Sequence, residues 1–76
     1  MNAKRRKEIE KLSAQIEEIK MAIDSLRDDE QEAYDNMPDS IQDSERGQKM
    51  ESAIEALDYA SDDLQECLDH LLEAIE

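Results

Sequence analysis

Apolar residues recur along the first half of the chain at alternating intervals of three and four. The series is Ile9, Leu12, Ile16, Ile19, Ile23 and Leu26. With Ile9 at heptad position a, the other five alternate between positions d and a. A stripe with this 3.5-residue period lies along one side of an α-helix, and another helix has to cover it. The pattern therefore predicts a first helix over about residues 4–35.

A second series occupies the end of the chain and predicts a helix over about residues 44–75. Its d positions are Met50, Leu57, Leu64 and Leu71, and its a positions are Ile54, Ser61, Leu68 and Ile75. Small residues also recur at position g, namely Ala53, Ala60, Cys67 and Ala74. A stripe confined to a and d contacts one helix, whereas a wider stripe can contact two. The second helix therefore has room for a partner besides the first helix.

The segment between the two series predicts a turn over about residues 36–43. Pro38 excludes the preceding residue from the α region, and Asn and Asp favour turns. Asp43 and Ser44 are both suitable N-caps for the second helix. Gly47 follows in its first turns, where glycine costs about 1 kcal/mol relative to alanine. We interpret Gly47 as a tolerated residue rather than as a site of close backbone approach.

So short a connection makes the two helices antiparallel neighbours. This geometry predicts that Ile19 lies near Ser61. It also predicts that the basic segment 4–7 lies beside Asp69, Glu73 and Glu76, which would compensate cations that oppose the helix dipole.

The predicted fold class is all-α, with one domain over residues 1–76 that forms an antiparallel helical hairpin of the coiled-coil type. Small side chains at heptad spacing let another backbone approach closely, and a second copy of the chain offers the same face. We therefore expect the hairpin to dimerise into a four-helix bundle. The predicted dimer interface consists of Ala53, Ala60, Leu64, Cys67, Leu71 and Ala74.

Charge is segregated along the chain, whose net charge is −13. Residues 1–27 hold seven basic and five acidic residues, whereas residues 28–76 hold two basic and seventeen acidic residues. This balance disfavours direct binding to nucleic acid or an anionic membrane and favours a basic protein surface as partner. The chain has no apolar stretch of membrane-spanning length and no signal-peptide pattern, so we expect a cytoplasmic protein.

No residue pattern indicates an enzyme, a metal site or a bound cofactor. The acidic residues do not have EF-hand spacing, and Gly47 is the only glycine. Cys67 excludes an intramolecular disulfide and has no neighbouring cation that would activate its thiol. His70 is interpreted as a surface residue. We expect a protein that acts by binding.

The partner-binding surface is predicted on the outward side of the second helix, around Tyr59. A tyrosine within an acidic face has the composition of a contact anchor. A second acidic group lies before the turn and is either a solvated acidic turn or a further docking surface for a basic protein. The predicted partner-binding residues are Glu55, Asp58, Tyr59, Asp62, Asp63, Asp28, Asp29 and Glu32.

Two segments carry a resemblance to a known group of proteins. Asn36-Met37-Pro38-Asp39-Ser40 and Ser44-Glu45-Arg46-Gly47, followed by the Ala/Leu/Ile heptads, resemble small acidic uncharacterised coiled-coil proteins of Gram-positive prophages and mobile elements. The resemblance covers about residues 28–76 and implies no catalytic residue. By analogy with other small acidic phage proteins, it implies a cytoplasmic inhibitor that binds a basic surface of a host defence or nucleic-acid-handling protein. A sharper version of this hypothesis is a DNA mimic.

Two other functions remain open at this point. A homo-oligomer could hold a small nucleotide between its protomers if Arg5, Arg6 or Arg46 lined the pocket. Alternatively, the hairpin could be a purely structural coiled-coil spacer.

Overall fold

The structure is a computed structural model that describes residues 1–76, and it contains helices but no strand. The elements are α1 (Ala3–Asp35), α2 (Asp39–Gln42) and α3 (Glu45–Ile75). The two long helices pack along each other, and the molecule measures 58 × 14 × 12 Å. None of the helices combines the length and the apolar character that crossing a bilayer requires.

Side-chain caps define where both long helices begin. Asn2 caps α1, since its Oδ1 accepts a hydrogen bond from the backbone N–H of Arg5 at 2.9 Å. Ser44 caps α3, since its Oγ accepts from the backbone N–H of Gly47 at 3.4 Å. Of the two predicted caps for α3, the structure therefore uses Ser44. α2 begins directly after Pro38, as proline at a helix start allows.

Gly47 is buried because the backbone of α2 lies directly against it. A Cβ atom at this position would be 2.1 Å from the carbonyl oxygen of Gln42 and 2.5 Å from its carbonyl carbon. The φ angle of Gly47 is not positive, so space rather than conformational freedom requires glycine here. The interpretation of Gly47 as a tolerated residue was therefore wrong.

A side-chain hydrogen bond ties α2 to the end of α1. The Nε2 of Gln42 donates to the backbone carbonyl of Tyr34 at 2.8 Å. This bond and the contact at Gly47 hold α2 between the two long helices. As a result, the first residues of α3 extend past the end of α1.

This turn sets a different register between α1 and α3 from the one predicted. Ser61 lies opposite Asp24 rather than Ile19, a shift of five residues, and Arg27 lies opposite Asp58 in the same register. The prediction assumed that the turn lies symmetrically beyond both helices. It went wrong because α2 packs beside the first turn of α3.

The shifted register also corrects the predicted pairing of the basic N-terminus. Ile75 is level with residue 10 of α1 in this register. The first seven residues of α1 therefore extend about 10 Å past the end of α3. None of Lys4, Arg5, Arg6 and Lys7 forms an ion pair with Asp69, Glu73 or Glu76, or with any other residue.

The seam between the helices uses positions a and e of α1 rather than a and d. Its half-buried residues include Ile16 and Ile23 at a, and Lys20 and Arg27 at e. The d residues of α1 are exposed instead: Leu12 by 50%, Ile19 by 53% and Leu26 by 59%. The polar e side chains pair with Asp24 and with α3, which accounts for their place in the seam. The prediction that d residues cover α3 was therefore wrong.

Candidate functional site

One long side of the hairpin is closed by charged side chains, and we call it the polar side. Arg27 Nη1 lies 2.8 Å from Asp58 on α3 and 3.5 Å from Asp24, and Nη2 lies 3.2 Å from Asp28. The hydrogen bonds to Asp58 and Asp28 raise the pKa of Arg27. Ser61 donates a 2.5 Å hydrogen bond to Asp24, and this bond is the main reason that the pKa of Asp24 is lowered. These contacts link α1 to α3.

A tyrosine–carboxylate pair continues the polar side toward the turn. The hydroxyl of Tyr34 donates a hydrogen bond to Glu51 of α3. This bond, above all, raises the pKa of Tyr34 to about 12, because ionisation of the phenol would place two negative charges together. The pair fastens the end of α1 to the beginning of α3.

The opposite long side, which we call the apolar side, has no polar contacts between the helices. It is formed by the d residues of α1 and the d and g residues of α3. They are Leu12, Ile19 and Leu26 of α1 together with Met50, Ala53, Leu57, Ala60, Leu64, Cys67, Leu71 and Ala74 of α3. The hairpin buries no hydrophobic residue, since its only buried residues are Gly47 and Ser61. Every hydrophobic side chain is therefore at least partly exposed, and Leu12, Ile19 and Leu26 are exposed by half or more.

All six predicted dimer-interface residues lie on this apolar side, but they differ in exposure. Ala60, Leu64, Cys67 and Leu71 are half-buried by the hairpin itself. Ala53 and Ala74 are exposed.

The exposed d residues of α1 belong to the same apolar side and were not predicted there. Leu12, Ile19 and Leu26 were predicted in the intramolecular seam, because a 3.5-residue stripe does not reveal which neighbour covers it. A signal was present at position e of α1, where Lys20, Arg27 and Tyr34 have long side chains whose polar ends can pair with acidic residues.

Acidic residues form a continuous stripe along α3, which we call the acidic ridge. They follow one another at intervals of three or four residues, the spacing that places side chains on one helix face. The ridge consists of Glu51, Glu55, Asp58, Asp62, Glu66, Asp69, Glu73 and Glu76. No Lys or Arg occurs after Lys49, so only His70 and Arg27 offset this charge locally.

The residues predicted around Tyr59 are not all on the outward side. Tyr59 is 60% exposed and donates a 2.9 Å hydrogen bond to Glu55, which raises the pKa of the tyrosine. Asp62 and Asp63 are exposed and form no ion pair. Asp58 is half-buried and paired with Arg27, so its predicted outward position was wrong. It belongs to the polar side because it occupies position e.

The second predicted acidic group lies at the end of α1 near the turn. Asp28, Asp29 and Glu32 are all exposed. Asp28 pairs with its neighbour Arg27, whereas Asp29 and Glu32 form no ion pair. The two predicted acidic groups therefore share a boundary at Arg27, which contacts both Asp28 and Asp58.

No cluster of three or more potential metal ligands occurs in the structure. Cys67 is a free, half-buried thiol, and no buried side-chain polar atom is left without a hydrogen-bond partner. The two extended surfaces of the hairpin are the apolar side and the acidic ridge.

Comparison with known proteins adds no family to this description. No family model matches the chain, and no curated protein or solved structure is significantly similar to it. The resemblance to prophage proteins therefore stays an expectation from the sequence.

Proposed function

We propose that the protein is an acidic, non-enzymatic protein-binding module. In this proposal, two hairpins pack through their apolar sides into a four-helix bundle. Their acidic ridges remain on the outside and bind a basic surface of another protein. In line with the prophage-like sequence, we propose that this partner is a host defence or nucleic-acid-handling protein that the module inhibits.

The observation that carries the self-association is the exposure of the apolar side. A globular monomer of this mass, 8.8 kDa, has an accessible surface of about 4,800 Å². The hairpin exposes 5768 Å² and buries no hydrophobic side chain. Because a small hairpin with so little burial gains most of its stability by association, a second copy supplies the missing core.

The acidic ridge supports the choice of a basic protein as partner. Its eight carboxylates span residues 51–76, about 38 Å of helix, which is one charge per about 5 Å. A strand of duplex DNA carries one phosphate per about 3.4 Å of its axis. The ridge is therefore a sparser anion than a DNA strand, so imitation of DNA would be partial. Such a rigid row of charge still steers a basic partner toward it.

A nucleotide-binding oligomer is supported less well, although one of its conditions is met. Arg46 lines a groove at the turn end of the apolar side together with Lys49. The same groove contains Glu30 and Glu45, and Lys49 is 3.5 Å from Glu45. The two acidic residues offset the two cations, so the groove offers little attraction to a phosphate. A purely structural spacer would use the apolar side and leave the ridge without a role.

The binding role is tested by comparing variants in capture from a bacterial lysate, followed by rate measurements with the purified partner. The variant Asp62→Asn with Glu66→Gln removes two exposed, unpaired acids of the acidic ridge. We expect it to keep its helicity and to lose at least tenfold in association rate at low salt, since complementary charge speeds encounter.

The control is Glu17→Gln with Glu18→Gln, which removes two exposed acids from α1 and has the same net charge. It should retain most of the association rate. Equal losses from both pairs would reject the ridge as the binding surface. A lysate from which the wild type captures no protein would favour the spacer, and a co-purifying nucleotide would favour the oligomeric nucleotide binder.

A further inference from the structure

The two ends of the hairpin carry very different charges. At the turn end, residues 28–49 hold eight acidic and two basic residues, a net charge of −6. At the open end, residues 1–11 and 66–76 together hold six acidic and five basic residues, a net charge of −1. About 25 Å of helix lies between these two groups of residues, which is about three times the Debye length of about 8 Å at physiological salt. Each end therefore responds only to what lies beside it.

The cations at the open end are not used within the hairpin. Lys4, Arg5, Arg6 and Lys7 are exposed and form no ion pair. They belong to the part of α1 that extends past α3. Arg5 occupies the same d column as Leu12, Ile19 and Leu26, so this extension continues the apolar side with a cation at its tip.

A groove of about 470 Å³ lies at the turn end of the apolar side. Met50 and Ala53 supply its apolar part, and acidic side chains accompany them. The lining residues are Glu30, Glu45, Arg46, Lys49, Met50 and Ala53. The groove therefore combines an apolar floor with two acidic and two basic residues. Because it lies in a turn end whose net charge is −6, it suits a segment that has an apolar residue followed by a cation.

We propose that the two hairpins of the bundle lie antiparallel to each other, with the first turns of each α1 seated in the groove of the other copy. This inference rests on the proposed self-association and names its geometry. When the middles of the apolar sides, near residue 22 of α1, are aligned in this orientation, Leu12 of the second copy lies over Met50 and Ala53. Arg5 of that copy then reaches the level of Glu45.

The spacing of the two matching segments supports this seating. Leu12 and Arg5 are separated by seven residues, about 10 Å of helix. Ala53 and Glu45 are separated by eight residues, about 12 Å. An apolar contact at one point and an ion pair at the other can therefore form together.

Electrostatics favour the same orientation over the parallel one. A parallel pair places two turn ends of −6 side by side, within the distance over which charges interact. An antiparallel pair places −6 beside −1 at both ends. Because repulsion scales with the product of the charges, the ends of the parallel pair repel each other about three times more strongly than those of the antiparallel pair.

Distances between spin labels on the two copies test the orientation. Each label is attached to a single cysteine in a Cys67→Ala background, either Glu10→Cys near the open end or Met21→Cys near the middle. Both positions are exposed and lie outside the apolar side. Glu10 is about twelve residues from the middle, so the antiparallel pair separates its labels by about 35 Å along the axis.

Pulsed electron paramagnetic resonance then distinguishes the outcomes. We expect about 40 Å or more for Glu10→Cys and about 30 Å or less for Met21→Cys, because the bundle is only two helices wide. Distances of about 30 Å or less at both positions would overturn the antiparallel orientation while keeping the self-association. The absence of any distance between copies at both positions would refute the self-association itself, and the orientation with it.

Discussion

The two long sides of the α1–α3 seam are built from opposite chemistry. On the polar side, Arg27 reaches Asp58 and Tyr34 reaches Glu51, so the hairpin satisfies this side by itself. On the apolar side, Ile19 and Leu26 remain more than half exposed, with no residue of the chain to cover them. One side is complete within a single chain and the other is not.

The two sides contribute differently to the hairpin, because one determines which residues pair and the other holds most of the stabilising free energy. Ion pairs near a protein surface contribute under about 1 kcal/mol each, whereas burying a large aliphatic side chain contributes about 1.5–3 kcal/mol. The polar side therefore fixes which residues face each other but supplies little stability. The apolar side holds most of the available free energy, which is gained only when another surface covers it.

The largest effect is expected from a charge placed on the apolar side. Ile19→Glu removes an apolar contact from both copies of the bundle, worth roughly 3–6 kcal/mol in total, and introduces two charges. The dissociation constant should rise at least a hundredfold, and the melting temperature should fall at micromolar concentration. Met21→Glu is the control, since Met21 is 65% exposed and lies off the apolar side. Similar melting of both variants would show that the apolar side is not covered.

A smaller loss of stability is expected from a substitution at Gly47, where the turn sets the register between α1 and α3. Alanine usually stabilises a helix relative to glycine by about 1 kcal/mol. At Gly47 we expect the reverse, because a Cβ would overlap the Gln42 carbonyl group, and overpacking costs about 1–3 kcal/mol. Denaturant unfolding of Gly47→Ala should therefore show a lower midpoint than the wild type. Ser52→Ala, an exposed change in α3, should not lower it.

Breaking the polar side should cost less than either change. Arg27→Gln removes the pairs with Asp58 and Asp28, and we expect only a small decrease in the denaturant midpoint because these groups are partly exposed. A double-mutant cycle with Asp58→Asn measures the pair alone. Lys49→Gln, which removes the exposed pair with Glu45, should have no measurable effect. A loss from Arg27→Gln that exceeds the loss from Ile19→Glu would reverse our comparison of the two sides.

The smallest effect concerns the pH dependence of the tyrosine pair on the polar side. Its folded pKa of about 12 is above the unfolded value near 10. The stability from this pair is therefore fully present below pH 10 and is lost as pH rises toward about 12. Tyr34→Phe should be less sensitive to alkali in this range than the wild type. If spectrophotometric titration of a Tyr59→Phe variant gave Tyr34 an ordinary pKa, the pair with Glu51 would not form in solution.

Much of the fold could be predicted from the heptad pattern, because a repeat of 3.5 residues determines helices and their apolar faces. The two long helices, the turn at Pro38 and the cap at Ser44 all depend on local sequence. The register between α1 and α3 could not be predicted, because it depends on how closely α2 packs against α3 at Gly47. The heptad pattern does not indicate how far apart these two helices lie.

The surfaces could be predicted only in part for a related reason. The g column of α3, including Ala60 and Cys67, could be placed beside the a/d seam from the heptad pattern, while its contact with a second copy stays a prediction. The d column of α1 could not, since Ile19 fits an intramolecular and an intermolecular seam equally well. Asp58 was misplaced because its partner Arg27 is 31 residues away, and only the register brings them together.

The central claim is that a second copy covers the apolar side. Sedimentation equilibrium of the unmodified chain at micromolar concentration tests it most directly, because it measures mass without a label or a mutation. We predict a mass of twice the 8.8 kDa of one chain. A folded, helical protein that sediments with the mass of a single chain would contradict the account.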